Sequence, residues 1–206
     1  MLKLSRKTLL AIGIVGVNLA AVTLPYAAHA TGQAINSVIN LTVSPVLISY
    51  SPDPSGTVTL GVVPSAGGLQ SIASDTVTGD TNDTSGLTIT LAENSPSSTD
   101  MISGSNTIPT SSGTPAVPVL EASNTWGWRI DSLAGFGSGP TGAVSSASPS
   151  ATLKFAAIPA NASPYTIDTT ATNGSASSTI WYGANVTTGQ PTGVYSTTVL
   201  YTITLN

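Results

Sequence analysis

The sequence predicts an all-β protein, a sandwich of short antiparallel strands preceded by a signal peptide. Three observations predict it. First, the closing stretch Gly193 to Leu205 alternates: Tyr195, Thr197, Val199, Tyr201, Ile203 and Leu205 take one side, and Val194, Ser196, Thr198, Leu200, Thr202 and Thr204 the other. Its β-branched and aromatic residues suit a pleated surface. Second, apolar residues at i, i+3, i+4 and i+7 are sustained nowhere beyond the N-terminal run. Third, turn-forming residues recur roughly every ten residues between short alternating runs, the rhythm of a sandwich or barrel.

The N-terminus reads as an export signal. Lys3, Arg6 and Lys7 precede the apolar run Leu9 to Leu24, and Ala28-His29-Ala30 is a small-x-small cleavage site. An uncleaved anchor is the alternative; Asn18 interrupts the run, which is short for a span. Residues 1–30 are therefore assigned to the signal peptide and 31–206 to a single domain, long enough to bury a core without a disulfide or metal. Contact with the membrane is expected only through the signal peptide before cleavage, and the mature protein is expected outside the cell or on its surface.

After that cleavage Arg129 and Lys154 stand against nine acids, which excludes nucleic-acid binding by phosphate neutralisation. Cysteine is absent, removing disulfides, thiolate nucleophiles and zinc–thiolate sites, and an exported chain without cysteine leans bacterial.

Taken in order, Ile35 to Val43 becomes a strand in its second half and is closed by Pro45. Val58, Leu60 and Val62 alternate between Pro54-Ser55-Gly56 and Pro64 and predict a second strand. Asp75 to Thr78 is a weaker one around Val77, followed by a turn over Asp80-Thr81-Asn82-Asp83. Leu87, Ile89 and Leu91 alternate cleanly. From Glu93 to Pro118 the pattern dissolves into a surface excursion, with Met101, Ile102, Ile108 and Val117 as its only apolar contacts. Val119 to Ile130 predicts a central strand with Trp126, Trp128 and Ile130 on one side. Gly135 to Ser150 is a loop, Leu153 and Phe155 point opposite to Lys154, Tyr165 and Ile167 add a short strand, and Ile180, Tyr182, Ala184 and Val186 alternate with Trp181 facing the other way.

Three segments carry a family resemblance. Val77-x-x-x-Thr81-Asn82-x-x-x-Gly86-Leu87-Thr88-Ile89, Asn124-Thr125-Trp126-Gly127-Trp128-Arg129 and Gln190-Pro191-Thr192-Gly193-Val194-Tyr195-Ser196-x-x-Val199-x-Tyr201-Thr202 resemble, in that order, segments of secreted surface proteins of Saccharibacteria and related ultrasmall bacteria. The closing pattern is also similar to the last strand of Gram-positive WxL cell-surface domains, and more loosely to spore coat protein U-like and pilin-like sandwiches. Where WxL domains close on Trp-x-Leu, this chain has Tyr201-Thr202-Ile203, and the first WxL element is matched only by Trp128-Arg129-Ile130. The resemblance implies an immunoglobulin-like or WxL-like β-sandwich, a place on the cell wall or surface, and a role in adhesion or envelope assembly.

Catalytic chemistry finds no candidate residues. His29 leaves with the signal, so the mature chain lacks both His and Cys, and a Ser–Lys pair would have to use Lys154. No enzyme activity and no cofactor are expected. Asp75, Asp80, Asn82 and Asp83 cluster in sequence, but an EF-hand loop starting at Asp80 would place Ser85 at the obligatory glycine and Leu91 at the bidentate Glu. Asx-turns explain them better than a weak calcium site. Gly135-Phe136-Gly137-Ser138-Gly139-Pro140 lacks the strand-to-helix context and Lys of a nucleotide loop. Lys154 is either a solvated outer-face lysine or one end of an intramolecular isopeptide bond to an Asn.

The candidate contacts with a ligand or partner are Trp181, Tyr182 and Trp128, with Trp181 foremost because its neighbours point into the core. The expected partner is a cell-envelope component or surface protein. A second copy is the alternative, in a fimbrial subunit built by strand addition from the segment Thr31 to Ser37, and a cell-wall glycan the other, in a carbohydrate-binding module.

Overall fold

A computed structural model describes residues 39–42, 57–81, 83–94 and 98–206. The expected signal peptide lies outside them. Every strand pairing between named strands is antiparallel and no helix occurs among the described residues, so the chain is all-β.

Among the described residues twelve strands are formed: β1 (Ile39–Thr42), β2 (Leu69–Thr81), β3 (Leu87–Glu93), β4 (Met101–Ser103), β5 (Asn106–Ile108), β6 (Val119–Leu120), β7 (Thr125–Ile130), β8 (Val144–Ala147), β9 (Lys154–Phe155), β10 (Tyr165–Thr169), β11 (Gly174–Val186) and β12 (Val199–Leu205). They make a four-stranded sheet ordered β1-β12-β3-β10, a second ordered β7-β11-β2-β8, and the two small pairs β4-β5 and β6-β9.

Alternation explains the first sheet. Ile89 and Leu91 of β3 stand opposite Ile203 and Tyr201 of β12 in register, and with Leu87 they are buried. They share one hydrophobic cluster with Val77, Trp126, Trp128, Ile180 and Tyr182 of the second sheet. A glycine permits the close approach: a Cβ on Gly79 would lie 3.2 Å from Ile203 Cδ1 and 3.3 Å from Leu87 Cδ2. Between the sheets the Tyr182 and Tyr201 hydroxyls hydrogen-bond to each other, so neither aromatic carries an unsatisfied polar tip into the core.

The closing strand sits between β1 and β3 and is paired on both sides. Its ladder begins at Val199; ahead of it Tyr195 donates to the Pro191 carbonyl (2.8 Å) and Ser196 bridges to Ile102. Asn206 closes the sheet end, its Nδ2 donating to the carbonyls of Ser85 (3.1 Å) and Thr170 (2.9 Å). Gly86, at φ +83, takes the left-handed turn there, and a Cβ on it would collide with the Thr170 carbonyl oxygen.

Elsewhere the sequence expectations need correction. Val58, Leu60 and Val62 do pack on the core, yet residues 57–64 pair with no strand; Gly61 instead accepts from the Ser71 hydroxyl. The weak strand at Asp75 to Thr78 is the middle of a 13-residue strand, β2, that runs through Asp80 and Thr81. The turn follows at Asp83, whose carboxylate accepts from Ser85 N at 2.7 Å, an Asx-turn. The surface excursion contains the β4-β5 hairpin, and its Ile108 is buried. Val119 to Ile130 is two strands, broken at Asn124 by a left-handed residue (φ 58). The loop from Gly135 to Ser150 holds β8, an edge strand on β2.

Candidate functional site

The second sheet is covered on both sides along part of its length. On β7 and β11, Trp126, Trp128, Ile180, Tyr182 and Ala184 face the shared core. The opposite side of the same two strands carries Gly127 directly across from Gly183, and Arg129 across from Trp181. The glycine pair makes a hollow that Phe155 fills. A Cβ on Gly183 would lie 2.6 Å from Phe155 Cε1, and one on Gly127 2.7 Å from both the Ala156 carbonyl and Glu121 Oε1. Trp128 and Ala156 exchange backbone hydrogen bonds (3.1 and 2.9 Å), and Ser111 N donates to the Trp126 carbonyl at 2.6 Å, so the margin of the sheet at β7 is closed. The pair β6-β9 and its flanking loops thus form a roof.

Arg129 is fully buried under this roof. Its Nη1 donates to the Lys154 carbonyl (3.2 Å) and its Nη2 to the carbonyls of Phe136 (3.3 Å) and Gly137 (3.0 Å). The guanidinium carbon lies 6.0 Å from the ring centroids of Phe136 and Phe155. Burial lowers its pKa, and nearby Asp131 opposes the shift. These bonds staple β7, the loop after it and β9 together, so this cation is committed to the fold and not offered to an anion.

Glu121 is buried under the same roof, its Oε1 facing Gly127. Desolvation pushes its pKa up to about 8, against a hydrogen bond to Oε2 from the Thr125 hydroxyl (3.1 Å). The acid is therefore held protonated at neutral pH. Asn185 Nδ2 donates to the Glu121 carbonyl (3.2 Å), and Asn124 Oδ1 accepts from Thr187 N (2.8 Å) and Oγ1 (3.1 Å), fixing the link between roof and sheet.

The three aromatic contact candidates do not share a surface. Trp128 is fully buried, its indole N–H donating to the Ala157 carbonyl (2.8 Å) and its ring edge-on to Phe136 at 5.3 Å. Tyr182 is 5% exposed and bonded to Tyr201. Both belong to the core. Trp181 points the other way and is half-buried at the edge of the roof, across from Ser74 on β2. Beyond it on the same side runs a hydroxyl ladder, Thr76 Oγ1 to Thr179 Oγ1 and Thr78 Oγ1 to Ser177 Oγ, each 3.1 Å. One indole beside paired hydroxyls on a firm two-stranded base is a surface that can stack on a ring and hydrogen-bond around it.

The remaining candidates are accounted for by the fold. Asp75 is buried in β2 across from Ile180, Asp80 is exposed near its end, and Asp83 is spent on its Asx-turn; Asn82 lies outside the described residues. No group of three metal-ligating side chains occurs among the described residues. The loop at Gly135 gives its carbonyls to Arg129. Lys154 holds its side chain in solvent, with no hydrogen bond or ion pair to an Asn or carboxylate among the described residues.

Sequence reasoning did not find Glu121 or the role of Arg129. The signal was present in Gly127 and Gly183, isolated glycines inside aromatic strand patterns, which mark close approach of another layer. Comparison with known proteins finds no matching family model, no matching curated protein and no matching solved structure.

Proposed function

We propose that this protein is an exported, non-enzymatic component of the bacterial cell surface, a β-sandwich of immunoglobulin-like or WxL-like type that serves in adhesion or envelope assembly. The observation that carries this reading is the placement of the three tryptophans. Trp126 and Trp128 are spent on the core, whereas Trp181 stands outward beside a ladder of Thr and Ser hydroxyls. A half-buried aromatic turned outward beside ordered hydroxyls is suited to recognising a glycan or a polar protein surface. The supporting context is the N-terminal export signal, the acidic charge and the absence of His and Cys from residues 31–206.

The test is retention of the purified protein on isolated cell envelopes. Wild type is expected to be retained, and Trp181→Ala to lose retention with an unchanged unfolding midpoint. Absence of wild-type retention, or full retention of Trp181→Ala, contradicts the reading.

One observation favours a second reading, a fimbrial subunit that polymerises by strand addition. Among the described residues β1 is an edge strand, joined to the sheet through β12 by a four-residue register from Ile39↔Ile203 to Thr42↔Leu200. A second copy's strand would satisfy the same hydrogen bonds. Negative-stain images and size exclusion at high concentration showing only monomers would remove this reading.

A further inference from the structure

We propose that Asn173 is a site of spontaneous covalent modification, converting on the folded protein to aspartate and isoaspartate with release of ammonia. The sequence contains a single Asn-Gly pair, Asn173-Gly174. The structure places it where the chemistry is least hindered. Asn173 is exposed in the bend between β10, which ends at Thr169, and β11, which begins at Gly174. Its side chain makes no hydrogen bond among the described residues. Gly174 stands at φ +154, a conformation that side chains disfavour, and the space where a Cβ would project is empty within 4 Å.

The step balances without an external catalyst or oxidant. The Gly174 backbone nitrogen attacks Asn173 Cγ, its proton leaves with the amide nitrogen as ammonia, and a five-membered succinimide forms. Water then opens the ring at either carbonyl, giving aspartate or an isoaspartyl link. The net change is replacement of an amide NH2 by OH. Because nucleophile and electrophile are neighbours on one chain, the rate depends on how freely they meet: Gly174 is the first residue of the β11 ladder, opposite Thr81, and the unbonded Asn173 side chain just ahead of it can swing onto a nitrogen that no neighbouring side chain shields.

Four other asparagines are held, while Asn94 and Asn106, whose side chains make no hydrogen bond among the described residues, are followed by Ser95 and Thr107 and not by glycine. Asn161 Nδ2 is bonded to the Glu93 carbonyl, Asn124 Oδ1 accepts two bonds from Thr187, Asn185 is buried against Glu121, and Asn206 is fixed at the sheet end. Each of the first three is followed by a residue with a side chain, Ala162, Thr125 and Val186. The product carboxylate forms at the end of β11 where Ser175 pairs with Asp80. The isoaspartyl form adds a methylene to the main chain one residue before that ladder starts, so the thirteen-residue strand itself is preserved while its tip gains negative charge.

The experiment is to hold the purified, folded protein in warm, mildly alkaline buffer and follow it by ion exchange, peptide mapping and isoaspartate methyltransferase labelling. An acidic species should accumulate, map to Asn173 as both isomers, and disappear in Asn173→Gln. Modification confined to urea-unfolded protein, or mapped to a different asparagine in the folded one, would overturn the proposal. Mapping of wild type decides this even if the variant misfolds.

Discussion

The outer faces of the two main sheets are built to opposite rules. On the first, Thr88 and Thr90 of β3 stand in register with Thr204 and Thr202 of β12, half-buried and covered by no other strand among the described residues. On the second, Gly127, Gly183, Arg129 and Asn185 lie under a roof whose Phe155 ring and Glu121 carboxyl reach the bare glycines. The first face asks only for β-formers that tolerate water. The second demands particular residues, because any added atom collides and any lost partner strands a buried polar group. The candidate contact Trp181 sits on the second sheet, between Arg129 on β7 and Ser74 on β2.

That contrast orders the expected effects of substitution. Phe155→Ala empties the glycine hollow and should cost about 3–5 kcal/mol, read as a large drop in the urea midpoint. A loss under about 1 kcal/mol would mean that the roof contributes little.

Next comes pH. The folded pKa of Glu121, about 8, is raised above its ordinary 4.5, so its contribution to stability is complete below pH 4.5 and is lost as pH rises toward 8. On the order of a few kcal/mol is at stake across that window. Wild type should lose urea resistance between acid and mildly alkaline pH, and Glu121→Gln should flatten the profile. An unchanged slope in the variant would show that Glu121 ionises normally.

Tyr201→Phe removes one partner of the hydroxyl pair between the sheets and leaves the Tyr182 hydroxyl without its Tyr201 bond; about 1–2 kcal/mol is expected in denaturant melts. The smallest effect belongs to the bare face. Thr202→Val keeps the branched shape and should shift stability by no more than about 0.5 kcal/mol. A large loss there would mean that the threonine face is not the permissive one.

The same contrast explains what could be read from the sequence. β3 and β12 were legible because one side of each faces the core and the other water, so apolar and polar residues alternate. β2 was not. Its inward positions include Ser71, Ala73, Asp75 and Gly79, while Gln70 and Ile72 are buried on the other side, so alternation is erased over much of its length. Val58, Leu60 and Val62 show the reverse failure: their spacing predicts which side packs inward, but packing does not require a ladder. The roof was hidden because two-residue strands have no period. At the candidate site, the outward direction of Trp181 followed from its buried neighbours Ile180 and Tyr182, whereas the hydroxyl ladder beside it depends on the register of β2 with β11, which no local pattern encodes.

The central claim, that the protein works by binding through the Trp181 side of the second sheet, is tested most directly by a paired retention measurement on isolated cell envelopes. Trp181→Ala should abolish retention while Thr202→Lys, on the bare face of the first sheet, leaves it unchanged, both proteins keeping the wild-type unfolding midpoint. Retention lost with Thr202→Lys and kept with Trp181→Ala would contradict the account.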